Sequence, residues 1–471
     1  MWSSFFNAAR HRQVFALALP MVLSNITVPL LGLVDTIVIG HLEHAYYLGG
    51  VAVGATIISL IFWLLGFLRM STTGLAAQAV GAGDNERLLQ VLVRGCLLAW
   101  GLALLILVLQ KPLTDLAFWL VGGSSQVQMY GREYVMVRIW SAPAALTNLV
   151  LLGWLLGNQN ARAPMLLLIL GNGVNIVLDI WFVLGLGWQV KGAAAASVLA
   201  DYLATALGAW LVWRTIQGRN CWPTAGFWRR TLHVEAFKKL LGLNRDIFIR
   251  ALCLQLTFAF MTFQGARLGD DVLAANAVLI NFLMFISFGL DGFAYAVEAM
   301  VGKAVGERDR AEFRLACALN VFWGGVVAIL FVLIFALGGH TLINLITSIT
   351  EVQEQAREYL PWLILMPLAA CWCFILDGIF IGTTRGGDMR DMMLLSTAGV
   401  FFPVWFLAQS LGNHGLWLAM LCFMLARGIT LGWAWWRIDR RQGFILKDGE
   451  EVKRRAPSTK SQANKKNQSQ N

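Results

Sequence analysis

The chain has 471 residues, 58% of them hydrophobic and 14% charged, with 20 Trp, 28 Phe, a mean hydropathy of +0.64 and a formal net charge of +10. A soluble chain carries about 25% charged residues, so this composition excludes a water-soluble enzyme or adaptor and specifies a polytopic membrane protein. A nucleic-acid partner is excluded too: 10 Lys/Arg against 4 Asp/Glu lie between Arg437 and Asn471, so most of the excess sits in one polar tail, without an aromatic-interleaved basic surface.

Arg10, His11 and Arg12 precede an apolar run over 14–40. It is too long for a signal-peptide core and lacks a small-residue cleavage site, so it is the first membrane helix. Further runs of about 20 residues, the length a bilayer requires, follow at 48–70, 89–109, 133–157, 165–187 and 192–213. Six more lie at 246–266, 273–300, 315–337, 358–382, 391–411 and 415–437. Twelve spans put both termini on one side, and Lys/Arg number 29 on that side against 5 on the other. The positive-inside rule therefore predicts cytoplasmic termini. The expected organisation is a cytoplasmic N-terminus over 1–13, a six-helix lobe over 14–213, a cytoplasmic connection over 214–245, a second lobe over 246–437, and a disordered basic tail over 438–471. The fold class is an all-α polytopic membrane protein. Its seven cysteines, all but Cys221 inside apolar runs, read as small buried hydrophobes.

The long connection divides the spans six and six, and a sequence offset recurs across it. Leu48 to Val53 matches Leu273 to Val278 at +225, and Gly153/Gly157 match Gly378/Gly382 at the same offset. Val80-Gly81 aligns with Val301-Gly302 at +221, and Gly192 with Gly415 at +223. Two parallel six-helix lobes related by a pseudo-two-fold axis along the membrane normal are the expectation. Parallel repeats of this kind build secondary transporters with a midplane site.

A carboxylate near the centre of a membrane helix costs roughly 2.5 to 3.5 kcal/mol and requires a reason. Asp35 in the first span and Asp179 in the fifth fall about 8 and about 12 Å below the outer face at 1.5 Å per residue, and Ser197 in the sixth reaches a similar depth. Asn172, Asn175 and Asp179 share one helix face at i, i+3, i+7. At +225 the two acids correspond to Phe260 and Val404, so they are not duplicated with the architecture. Two neighbouring carboxylates withdrawn from water do not both stay ionised, so the pair is equipped to take up a proton. A Na⁺ ion held by the same oxygens, or plain interhelical hydrogen bonding, are the competing readings. All six His sit at span ends or in loops, so carboxylates must carry any proton movement within the membrane. Asp201 is a candidate deeper relay.

In the second lobe, Asp291, Asp377 and Arg427 form a candidate polar site, with Asp377 and Arg427 expected to neutralise each other. Glu298 reads as a capping or loop-anchoring group. Pro20 and Pro29 interrupt the first span, where a proline removes a hydrogen bond and bends a helix. Phe258, Met261 and Phe263 in the seventh span are candidate lining for flat lipophilic cations. Neither clustered metal ligands nor a nucleophile with an adjacent base occurs, so no enzymatic activity, cofactor or metal centre is expected.

The stretch Leu17-Ala-Leu-Pro-Met21, followed by Ser24 to Thr36 and Val38-Ile-Gly-His41, resembles the first helix of the multidrug and toxic compound extrusion (MATE) family, closest to its DinF branch. Phe67 to Leu75, Asn172 to Asp179, Leu290 to Glu298 and Leu376 to Gly382 extend the resemblance, which runs to about Arg437 and leaves out the tail. The resemblance implies two six-helix lobes around a V-shaped cavity, and export of amphipathic, often cationic compounds in exchange for H⁺ or Na⁺. It assigns coupling to Asp35, Asn175 and Asp179, gives Ser197 the place of a Thr, and places the first-helix bend at Pro20. Asp377 matches an acid of the sodium-coupled branch, whereas Asp35 with Asp179 is the DinF arrangement, so H⁺ is the favoured ion. The expectation is a monomeric multidrug antiporter of the bacterial inner membrane. A lipid-linked precursor flippase is the alternative, which a strongly cationic central cavity would favour.

Overall fold

The computed structural model describes residues 5–40, 44–122, 124–441 and 443–445, leaving undescribed the side chains of Asp35, Thr36 and Ala45 within helices. The expected tail beyond Ile445 falls outside the described residues. Among the described residues every element is helical, and twelve runs are long and apolar enough to cross a membrane.

The first lobe begins with α1 (Ala8–Gly40), which runs unbroken through Pro20 and Pro29. The second span is two helices, α2 (Ala45–Leu64) and α3 (Phe67–Gly81), followed by α4 (Asn85–Val108) and a short α5 (Gln110–Val121). The fourth span joins α6 (Ser125–Arg138) to α7 (Ala142–Gly157) through a 3₁₀ turn. Then come α8 (Arg162–Asp179), which widens into a π-helical stretch over Ile180–Gly185, and α9 (Gln189–Arg219). After the five-residue α10 (Phe227–Thr231), the second lobe comprises α11 (Val234–Leu268), α12 (Asp270–Gly306), α13 (Arg310–Ile346) and α14 (Thr350–Gly382). Its last spans are α15 (Gly386–Ser396), a π stretch over Thr397–Phe401 with α16 (Phe402–Ala408), and α17 (Asn413–Arg440).

Most spans are longer than their apolar runs because polar turns continue the helix past the hydrocarbon. The clearest case corrects the expected connection: residues 234–245, read above as loop, are the first three turns of α11. The outward faces carry apolar side chains suited to lipid, such as Leu337 and Leu407 at 86% and Trp119 at 78% exposure.

The duplication is kept at single-residue register. Left-handed turn residues recur at +225 as Gly83/Arg308, Gln159/Thr384 and Gly187/Gly412. Asp84 caps α4 by accepting from the Arg87 amide, and Asp309 caps α13 by accepting from the Ala311 and Glu312 amides, again at +225. A Cβ on Gly153 would lie 2.4 Å from the Arg69 carbonyl oxygen, and one on Gly378 would lie 2.6 Å from that of Ala294. The same arithmetic corrects the +221 alignment: the structural counterpart of Gly81 is Gly306, not Gly302. A Cβ on Gly81 would sit 2.0 Å from the Lys303 carbonyl oxygen and one on Gly306 2.1 Å from that of Gln78, so the ends of α3 and α12 cross about the pseudo-two-fold axis.

Candidate functional site

The polar residues of the first lobe line the seam between α1, α8 and α9. Asn172 donates to the Thr27 hydroxyl at 2.6 Å, and that hydroxyl donates to the Ser24 carbonyl at 2.6 Å. One turn on, the Asn175 amide faces the Ser197 hydroxyl at 3.3 Å. Asp179 follows on the same face, 1% exposed, at the last α-helical position before the π stretch. The Asp35 side chain lies outside the described residues, but its backbone level follows from register. First and fifth spans run in the same direction and meet at Thr27–Asn172; eight residues along α1 and seven along α8 reach Asp35 and Asp179, advances of about 12 and about 10 Å. The two positions therefore stand at one level. Pi-helical stretches recur at functional sites because a residue is inserted into the hydrogen-bond ladder.

Asp201 has a different partner from the one expected. Its carboxylate accepts from Arg138 of α6 at 2.7 Å, and among the described residues no hydrogen bond joins it to Asn175 or Ser197. It is the counter-ion of an embedded arginine, not a link in the cluster.

In the second lobe, Asp377 and Arg427 pair at 2.7 Å as expected, but Arg250 of α11 joins the same Asp377 oxygen at 2.5 Å. All three are at most 7% exposed. Arg250 falls one turn inside the seventh span, just past a polar stretch, and the helical continuation over 234–245 carries it into this buried cluster. Asp291 is half-buried, and its electrostatic neighbours are Arg69, Glu298, Arg250 and Asp377. Three guanidinium groups (Arg69, Arg250, Arg427) thus face three carboxylates (Asp291, Glu298, Asp377), a neutral set.

Glu298 does not cap a helix. It is 1% exposed and forms a two-pronged pair with Arg69 of α3, at 2.9 and 3.3 Å, across the boundary between the lobes. Arg69 also lies 4.2 Å from the centre of the Tyr295 ring. Further ties across this boundary are Arg10–Glu312 at 2.7 Å, Gln78 to the Gly382 carbonyl at 2.9 Å and Gln159 to the Ala299 carbonyl at 2.8 Å. The highest is Asn25 to the Phe288 carbonyl at 3.4 Å, near mid-membrane. Among the described residues no interlobe hydrogen bond or ion pair lies beyond that level. The polar ties between the lobes lie toward the face carrying the chain ends, called here the terminal face, and none among the described residues lies on the other half, called here the parted side. Asp35 stands ten residues past Asn25 on the parted side.

Of the expected lining residues, Met261 is fully buried in side-chain packing and faces no cleft. Phe258 is partly buried against the core, and Phe263 is 59% exposed beneath Arg267.

A MatE family profile matches residues 20–181 and 247–407, one copy in each lobe. DNA damage-inducible protein F of Escherichia coli K12 is 49% identical over 442 residues, covering 93% of this chain and 94% of that protein. A probable multidrug resistance protein NorM of Pseudomonas syringae is 26% identical over 90% of this chain and 94% of that protein. Among solved structures, an outward-facing multidrug resistance MATE transporter of the MOP superfamily superposes with a TM-score of 0.80 at 22% identity, over 92% of this chain and 96% of that one. A mutant of the Vibrio cholerae MATE transporter VcmN gives 0.81 at 20% identity, over 93% and 99%.

Proposed function

The chain belongs to the MatE family of multidrug and toxin efflux transporters, and from that premise we propose that it exchanges amphipathic cationic compounds for protons across the bacterial inner membrane. Both termini face the cytoplasm in this reading, in keeping with the bias of 29 Lys/Arg to 5. The parted side of the lobes is then the outer one.

The observation that carries the choice of proton is the state of Asp377. Two guanidinium groups already occupy one of its oxygens, at 2.5 and 2.7 Å. A Na⁺ ion there would have to displace one or both, leaving a buried arginine uncompensated at a cost of several kcal/mol. Asp179, by contrast, follows one turn after Asn175, which faces Ser197, on the same helix face, level with Asp35 and above the interlobe closure. A proton arriving from outside removes one negative charge from this carboxylate pair. The polar seam of α1 with α8 then rearranges, the bound cation loses its attracting charge, and the compound leaves outward. Return to the inward state requires the terminal face to open, which means separating Arg69 from Glu298.

Proteoliposomes loaded with a fluorescent lipophilic cation test the coupling. An imposed pH gradient is expected to drive transport at equal Na⁺ on both sides, and Asp179→Asn to abolish it while the protein remains folded. Transport driven by a Na⁺ gradient alone would overturn the assignment.

A further inference from the structure

A cavity of about 310 Å³ on the terminal face lies between α3 and α4 of the first lobe and the first three turns of α11 in the second. Arg87, Arg94 and Lys239 line it, with Gln78, Thr72 and Asn244, and no Asp or Glu does. The acids on the elements packed around it are engaged elsewhere: Asp84 with the Arg87 backbone amide at 2.8 Å, Glu86 with Arg230 at 2.6 Å, Glu235 with Lys238 at 3.1 Å, and Asp246 with Arg245 and Arg390 at 2.9 and 2.7 Å. Arg94 is held in place by the Thr231 and Arg230 carbonyls, both at 2.8 Å, and by Gln90 at 3.1 Å, none of which cancels its charge. The Arg87 and Lys239 side chains make no hydrogen bond or ion pair among the described residues. Asn244 is 3% exposed, and neither its amide nitrogen nor its oxygen has a hydrogen-bond partner. Three cations without a carboxylate partner at the mouth of the cavity stand beside a buried amide whose donor and acceptor are both unsatisfied. The arrangement suits an anion with several acceptor oxygens.

The surroundings say where such an anion comes from. Trp222, Trp228, Leu232 and Val234, just before and at the start of α11, are 53%, 60%, 53% and 64% exposed beside Arg229 and Lys238. Exposed Trp and Leu interleaved with basic residues at the end of a span mark the headgroup layer. The cavity thus opens at the depth of lipid phosphates on the leaflet richer in anionic lipid.

We propose that this cavity is a binding site for a phosphate group, that of an anionic phospholipid headgroup or of a free phosphate compound, clamped between the two lobes. Arg87 and Lys239 supply the exchangeable charge contacts and Arg94 the fixed one. Because the walls come from both lobes, the bound phosphate ties them together on the terminal face. The same charges repel a lipophilic cation, so the cavity is not a resting place for exported compounds.

The test uses the full-length protein, purified in detergent and stripped of lipid, with three probes: dioctanoyl phosphatidylglycerol, dioctanoyl phosphatidylcholine and inorganic phosphate. Binding is read by native mass spectrometry and by the shift in unfolding temperature. The variant Arg87→Gln/Lys239→Gln changes two exposed side chains that no other group depends on. Lys238→Gln, outside the cavity, is the control. Phosphatidylglycerol is expected to bind the wild type and the control alike, and about 100-fold more weakly to the double variant, at about tenfold per charge-assisted contact. Binding of inorganic phosphate with the same loss assigns the site to free phosphate compounds; binding of phosphatidylglycerol alone assigns it to the headgroup. Equal binding of phosphatidylcholine, equal binding by the double variant, or no binding of either anion would overturn the proposal.

Discussion

Replacing Glu298 with Gln keeps the shape of the side chain and removes the charge that compensates Arg69. Arg69 is 8% exposed, so in the state closed on the terminal face its guanidinium would be left buried without a hydrogen-bonded counter-ion, Asp291 remaining only as an electrostatic neighbour. Removing one partner of a buried pair costs about 3 to 5 kcal/mol. The lower end applies, because Arg69 keeps the Tyr295 ring at 4.2 Å. When the lobes separate on that face Arg69 meets water and the cost disappears, so the whole penalty falls on one conformation. About 3 kcal/mol corresponds to a shift of about 100-fold toward opening of the terminal face. Hydrogen–deuterium exchange reads this directly: amides in 73–84 and 296–309, where α3 and α12 cross, should exchange markedly faster in Glu298→Gln than in wild type. Removing both charges, as in Arg69→Met/Glu298→Leu, leaves nothing uncompensated and should return exchange to near the wild-type rate. If the single variant exchanges like wild type, or the double exchanges as fast as the single, the pair does not hold the lobes together.

Gly306→Ala places a methyl group where the Gln78 carbonyl oxygen would be 2.1 Å away, so the crossing must spread. A loss of about 1 to 3 kcal/mol in thermal unfolding is expected, together with faster exchange in the same two segments. In the second lobe, Asp377→Asn strands two guanidinium groups, whereas Arg250→Met leaves Asp377 paired with Arg427. The unfolding temperature should fall much further for the first than for the second, and the reverse order would contradict the charge balance described.

The twelve spans were legible because hydropathy is summed over about 20 residues and tolerates local error. The site was legible in part, because a carboxylate or amide within an apolar run is conspicuous whatever it contacts: Asn172, Asn175, Asp179 and Ser197 fall along one seam. Partners were harder to read. Arg250 lies four residues beyond the point where polarity falls, so only the continuity of α11 reveals it as an embedded charge. Glu298 sits near a span end, where acids usually meet water, and its burial comes from the other lobe. Asp201 was read beside Ser197, one turn away on the same helix, yet its partner comes from α6. The Val-Gly dipeptide places Gly81 opposite Gly302, four residues out, whereas the cap pair Asp84/Asp309 fixes the true register. Its signal was present: each caps a new helix three residues after the crossing glycine.

The crossing of Gly81 with Gly306 has a consequence for ancestry. In it, the glycine of each half clears the carbonyl of the residue three before its counterpart, so the two sides are one contact seen twice. Contacts of that form are what a two-fold symmetric dimer makes with itself. A half-length chain carrying a single such glycine would have formed both sides of the joint at once. Fusion into one polypeptide then freed each side to vary alone. Asp35 and Asp179 could arise in one half without forcing buried charges on the other, and Arg69 could find Glu298 without a second copy of the pair.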